Sequence, residues 1–214
     1  MPGAPAADPV RARAEAGRHA RSRLRRYCVA NGLNRLGTLT YKHGCHDVRQ
    51  VRADVGVFFR ALRSGLNGRP LPYAWVPEWH KSHGLHLHFA LGRYVRRGLI
   101  ESAWHEVPDA DWVNIKLLGD LSVGSGRVGE ARKAAGYLGK YVAKDFDVDN
   151  PVPGLHLYDL AQGFQPQVQR ISGRSADAVV DAACRVMGSE PSWCWSSREV
   201  EDWKGAPAIS VRWT

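Results

Sequence analysis

Apolar and polar positions along this chain follow two periods, and each change of period marks an element. In "VRQVRADVGVFFRALRSGL" (48–66) the residues Val51, Val55, Phe58, Phe59 and Leu62 recur at the spacing of one helical face, and "NGRP" then stops the helix. "YAWVPEWH" (73–80) and "LHLHFALG" (85–92) read instead as the two strands of a hairpin joined by "KSHG". Strand alternation puts His86 and His88 on one face, with Leu85, Leu87 and Phe89 on the other. Glu78 joins the histidines only if the loop has odd effective length or carries a bulge, for which Gly84 is placed. Pro77 marks its strand as irregular or close to a sheet edge.

Further strands are expected at "RLGTLTYK" (35–42) and "DWVNIKLL" (111–118), and a helix at "RRGLIESAWHEV" (96–107). A glycine-rich stretch, "GDLSVGSGRVG" (119–129), opens a helix, "EARKAAGYLGKYVAKDF" (130–146), whose apolar stripe is Val128, Ala131, Ala135, Leu138, Val142 and Phe146. Residues 1–10 are Pro/Ala-rich and expected to be disordered, and 11–31 form a basic helix, exposed or lying on DNA. Three segments are expected: a basic, partly disordered arm (1–26), a central domain (27–146) and a loop-rich extension (147–214). That extension carries Trp193, Trp195, Trp203 and Trp213 and is expected to pack on the central domain.

The net charge of +9 is uneven: +5 on 1–26, +7 on 27–146 and −3 on 147–214. The positive field on the first two thirds suggests a polyanionic partner. Arginine outnumbers lysine 23 to 7, which suits phosphate contacts and equally a GC-rich coding bias. No apolar stretch approaches the ~20 residues of a membrane span. The basic N-terminus lacks the apolar core of a secretory signal, so a cytoplasmic protein with its four cysteines reduced is expected. "HGCH" (43–46) is too tight for three of its side chains to reach one tetrahedral zinc ion. No G-x-x-x-x-G-K-[ST] occurs.

Two constellations carry chemistry. Glu78, His86 and His88, brought to one face, form an open three-ligand set whose oxygen and imidazole donors favour Mg²⁺ or Mn²⁺, with Zn²⁺ or Co²⁺ as substitutes. The same H-x-H also describes two surface histidines on a half-exposed strand. In the second, Tyr137, Lys140, Tyr141 and Lys144 fall at i, i+3, i+4 and i+7, one helical face roughly opposite the apolar stripe. An amphipathic helix with solvated tyrosines and lysines shows this pattern too. Gly136 and Gly139 weigh against that, since each costs roughly 1 kcal/mol in a helix and points to close approach of something.

In order and spacing, "TLT" (Thr38, Leu39, Thr40), "HLH" (86–88) and "YLGKYVAK" (137–144) resemble the three motifs of the HUH endonuclease superfamily. The paired tyrosines are similar to its two-tyrosine rolling-circle replication initiators, and Glu78 to the third metal ligand of viral initiators. "GFQPQVQR" (163–170) is similar to the tail of actinobacterial plasmid initiators, so the resemblance covers about 38–170.

It implies an α+β nicking domain of the RRM/ferredoxin-like kind, with a central antiparallel sheet of about five strands and flanking helices. It also implies metal-dependent tyrosine transesterification on single-stranded origin or hairpin DNA through a 5′-phosphotyrosine. Tyr137 is expected to attack first and Tyr141 second, with Lys140 and Lys144 stabilising phenolate or phosphate. Arg93, Arg96, Arg97 and Arg127 are candidates to follow the DNA backbone. Strand opening would fall to a host helicase, to supercoiling or to an extruded hairpin. A transposase-like nickase, a hydrolytic metallonuclease and a non-catalytic basic nucleic-acid-binding module remain as alternatives.

Overall fold

The computed structural model describes residues 8–80, 84–117, 126–147 and 158–213, without the side chains of 13, 117, 126–128 and 143–147. The expected disorder at the N-terminus falls largely outside the described residues, as do most of the glycine-rich loop and the start of the C-terminal extension. The chain divides into two compact units, Met1–Pro166 and Gln167–Thr214. That division lies 20 residues beyond the 146/147 boundary read from sequence.

The first unit is built on a five-stranded, wholly antiparallel sheet, so the expected α+β architecture is present. Its strands are β1 (Arg35–Tyr41), β2 (Tyr73–His80), β3 (Gly84–Leu91), β4 (Ala110–Leu117) and β5 (Asp159–Leu160), in the order β4-β1-β3-β2-β5. Its helices are α1 (Pro9–Ala30), α2 (Val48–Gly65), α3 (Arg97–Trp104) and α4 (Gly126–Asp147).

Both faces of the sheet are covered. Strand residues Leu39, Trp75, Leu85, Leu87, Phe89 and Val113 pack on α2 and α3 through Val55, Phe58, Phe59, Leu62, Ile100 and Trp104. Leu36, Ala74, Val76 and Ala90 pack on α1 and α4 through Leu24, Tyr27, Ala134, Leu138 and Val142. The basic N-terminal segment therefore belongs to the folded unit: α1 starts at an Asp8 cap and is seated by Ala20, Leu24, Tyr27 and Cys28.

Gly37 makes the centre of the sheet possible. It pairs with Phe89, and a Cβ there would lie 2.1 Å from the Phe89 ring. The ring thus covers β1 and meets Phe58 at 5.6 Å.

The β2–β3 hairpin has a continuous register, with Glu78 opposite His86 and His80 opposite Gly84. The intervening segment is three residues long, so odd loop length sets the parity and no bulge is needed. Gly84 does other work. It holds φ 71°, and a Cβ there would lie 2.5 Å from the Cys45 carbonyl oxygen, which accepts the Leu85 N–H at 2.7 Å. Pro77 lies past the two β2 positions that pair with β5, so its missing N–H interrupts no ladder on that side.

Three buried ionisable groups tie this unit to pH. The Tyr41 phenol donates to Asp54 Oδ2 at 3.0 Å, and the Tyr27 phenol to the Ala161 carbonyl at 3.0 Å. Burial raises both above the usual tyrosine value and pushes the Cys28 thiol up to about 12. Folding thus holds protons that the unfolded chain releases above pH ~9–10, and stability present below that range is lost as pH rises through it. The urea midpoint should stay level from pH 7 to 8.5 and fall steadily from 9.5 to 11. An unchanged midpoint at pH 11 would contradict this burial.

The second unit, described by itself, holds α5 (Ala176–Met187) and a hairpin of β6 (Trp193–Ser196) and β7 (Ile209–Arg212). Ser175 caps α5 and Gly188 ends it at φ 72°. Trp195 meets Trp203 edge-on at 5.5 Å, and Arg212 lies over the Trp193 ring.

Candidate active site

On the α4 side of the sheet, even-numbered positions of β1, β2 and β3 form a row of polar side chains. His88 is its centre and is 5% exposed. Its Nδ1 lies 3.0 Å from Thr38 Oγ1, the cross-strand neighbour on β1, and its Nε2 lies 2.7 Å from Glu78 Oε2 on β2. Both ring nitrogens are therefore engaged. With Nε2–H donating to the Glu78 carboxylate, Nδ1 accepts from the Thr38 hydroxyl; in the other tautomer Nδ1–H would donate to Thr38 and Nε2 would be open to a cation. His86, opposite Glu78, stacks on His80 with centroids 5.0 Å apart and planes 8° apart. His80 shares the parity of Glu78, a signal already present in the sequence but not used.

Helix α4 crosses this row. Its apolar stripe, with Ala131, Ala134, Ala135, Leu138 and Val142 all buried, seats it on the sheet and turns its two tyrosines toward the histidines. The Tyr141 ring stacks on His88 at 4.3 Å and 9°. Tyr137 stands edge-on to both, 5.6 Å from His88 and 5.2 Å from Tyr141. The Tyr141 hydroxyl is hydrogen-bonded to Tyr137 and Glu78. Burial first, then Tyr137 and then the Glu78 charge hold its pKa well above the usual tyrosine value.

A cavity of about 230 Å³ opens beside Tyr137, lined also by Leu36, Gly37, Thr38, Asn114 and Lys116. Asn114 and Lys116 pair with Thr38 and Leu36. They bring an amide and an ammonium group to the tyrosine side of the sheet. The sequence reading passed over them, although Asn114 and Lys116 alternate with apolar Val113 and Ile115 in β4.

The matched family is that of Replication-associated protein ORF2/G2P, whose model covers residues 34–146, more than half of the 214-residue chain. The chain belongs to this family. No curated protein and no solved structure matches it. The span shared with the ORF2/G2P family runs from the start of the sheet to the end of the tyrosine helix, so it contains Thr38, Glu78, His86, His88, Tyr137 and Tyr141.

In this replication-associated protein the residues of "TLT" have separate tasks. Thr38 supports His88, Leu39 is core, and Thr40 Oγ1 bonds to the Trp112 backbone of β4. Lys140 is exposed and lines a groove between α1 and α4, not the cavity beside Tyr137. The side chains of Lys144 and Arg127 lie outside the described residues. Arg96 immediately precedes α3 and Arg97 begins it, on the sheet face away from the tyrosines, and Arg97 is paired with Glu101 at 2.7 Å. Arg93 donates to the Pro70 carbonyl.

The donor set of Glu78, His86 and His88 suits a hard or borderline divalent cation. Here Glu78 and His88 bond to each other and His86 leans on His80. Among the described residues, no three His, Cys, Asp or Glu side chains are gathered as a cation cage. Also among them, no helix is long and apolar enough to cross a membrane.

Proposed function

We propose that this replication-associated protein initiates rolling-circle replication by nicking and rejoining single-stranded origin DNA. The observation that carries this reading is the ring contact of Tyr141 with His88, with Tyr137 against both, on a histidine already bonded to Thr38 and Glu78. Two phenols thus meet one imidazole, itself bonded to a carboxylate, in a fold of the replication-associated family.

In this reading the Tyr137 phenolic oxygen attacks the scissile phosphorus. The bond from phosphorus to the 3′-oxygen breaks, and the 5′-phosphate stays on the tyrosine. The phenolic proton has an exit through Tyr141 to the Glu78 carboxylate, and the departing 3′-oxygen takes that proton back from Glu78 to leave a 3′-hydroxyl. When bound by Glu78, His86 and His88, Mg²⁺ or Mn²⁺ supplies Lewis acidity toward the phosphate.

Lys116 and Asn114 hold the remaining phosphate oxygens in the cavity beside Tyr137, the role expected from sequence of Lys140 and Lys144. The phosphotyrosine conserves the ester bond, so a later 3′-hydroxyl can rejoin the strand, and Tyr141 serves as the second nucleophile. Strand separation is assigned to a host helicase, supercoiling or an extruded hairpin.

The test uses a labelled single-stranded origin oligonucleotide with Mn²⁺ on a denaturing gel. A protein–DNA adduct that EDTA prevents is the expected result, and Lys116→Met should slow its formation at least about tenfold while Lys140→Met leaves it near wild type. Cleavage without an adduct would replace this reading with a hydrolytic one. Binding without cleavage would leave a non-catalytic module.

A further inference from the structure

The start of the tyrosine helix is tied to the sheet by a polar pair that has no part in the chemistry above. Glu130, on the second turn of α4, accepts from the Asn34 side-chain amide at 2.7 Å, although 96 residues separate the two. Asn34 stands just before β1 and is 9% exposed. Its main-chain N–H donates to the Leu91 carbonyl of β3, so its backbone is fixed to the sheet. Its side-chain oxygen accepts from Arg35 Nη1 at 2.7 Å, and the Arg35 guanidinium lies over the Tyr94 ring. A guanidinium only donates and a carboxylate only accepts. The two charges therefore set the orientation of the amide from either end and strengthen both bonds.

Helix geometry links this pair to the tyrosines. At about 100° per residue, Tyr137 and Tyr141 fall roughly 20° either side of Glu130, so all three lie along one line of α4. Tyr137 is roughly 10 Å from Glu130 along the axis, and Tyr141 about 6 Å further. The Tyr141 hydroxyl is bonded to Glu78, so this line of the helix is held to the sheet at both ends, with Tyr137 between. The Tyr141 tie is lost once that oxygen becomes an ester, which has no proton to donate. The Glu130–Asn34 tie takes no part in bond making and lasts through both transfers.

We propose that Asn34 and Glu130 are positioning residues: they hold the start of α4 against the sheet and so decide which phenol meets the phosphate first. The inference rests on the nicking reading and takes it further by naming what sets the order of the two tyrosines. With the pair intact, Tyr137 is held beside Asn114 and Lys116. With it broken, the start of the helix tilts away from β1 while Tyr141 stays on Glu78, and the balance moves toward Tyr141. A displacement of about 1 Å at a reacting atom is enough to slow a reaction on the order of 100-fold.

The test maps the adduct formed with a labelled single-stranded origin oligonucleotide and Mn²⁺, using peptide mass spectrometry to find which tyrosine carries the DNA. Asn34→Asp sets two carboxylates against each other. It should slow adduct formation at saturating DNA at least about tenfold and move the label from Tyr137 toward Tyr141. The apparent affinity for the oligonucleotide should change less than about threefold. Glu130→Gln alone keeps an acceptor for Asn34 and should stay near wild type. Adding Glu130→Gln to Asn34→Asp restores a donor facing an acceptor, in reversed order. That double variant should return to within about threefold of the wild-type rate, with the label back on Tyr137. Thermal melts run beside the assay, since a folding defect lowers the yield of adduct without changing which tyrosine carries it. An unmoved label in Asn34→Asp, or a double variant no better than Asn34→Asp, would overturn the inference. A wild type that forms no adduct would sink the nicking reading and this inference together, an outcome distinct from a wild-type adduct that the variants leave unmoved.

Discussion

Replacing Tyr137 and Tyr141 together with phenylalanine should remove covalent capture of single-stranded DNA altogether, a loss of at least about 1,000-fold. Phenylalanine keeps both rings, so the stacking on His88 and the α4 packing survive and the melting temperature should shift little. Only the oxygens are lost. The single changes should rank the pair. Tyr137 borders the cavity that holds Lys116 and Asn114, so Tyr137→Phe should abolish the first cleavage. Tyr141→Phe should slow the first adduct without abolishing it, because its hydroxyl passes the Tyr137 proton to Glu78, and should block the second transfer, in which a new 3′-end displaces the first. A double variant that still forms the adduct would show that the nucleophile lies elsewhere. An adduct lost with Tyr141→Phe alone would reverse the order of the two.

The second large effect concerns His88. His88→Ala should reduce adduct formation at least about 100-fold, because the residue binds Glu78, supports the Tyr141 ring and presents Nε2. Thr38→Val keeps the shape of the side chain and removes only the partner of Nδ1, and should reduce metal affinity and rate by about tenfold. Raising Mn²⁺ should recover most of the Thr38→Val loss and little of the His88→Ala loss. Mn²⁺ titration followed by isothermal calorimetry separates binding from folding. Since His88 is buried, urea melts of both variants run beside the kinetics. Full activity in His88→Ala would remove the histidine row from the mechanism.

How far the sequence could be read varied with the kind of feature. Local periodicity told strand from helix at each main element of the first unit, because the face that meets the core imposes its own spacing. "LHLHFALG" declared its two faces by alternation, and the four-residue step in α4 set its two tyrosines on one side, but that this side packs on the sheet beside the apolar stripe was not legible. Parity alone could not say whether Glu78 joined the histidines. A three-residue link settled it, while Gly84, suited on paper to a bulge, proved to be shaped by the passing Cys45 carbonyl. The partner of a strand, unlike its faces, is a long-range property. Placing β4 beside β1 is what sets Asn114 and Lys116 next to Tyr137, although some 20 residues separate them along the chain.

The basic N-terminus shows the same division. Its charge was plain from composition, but Ala20, Leu24, Tyr27 and Cys28 form a seat only when α4 and the sheet supply the other half. From sequence alone came the α+β class, the parity of the histidines and the four-residue step between the tyrosines. Tertiary structure alone decided which cation faces which tyrosine, which partner meets each nitrogen of His88, and that α1 closes a cationic groove with α4. The first set follows from the fixed geometry of a strand or a helix, which each residue carries with it. The second depends on docking angles and strand order, which arise only when distant apolar faces find each other.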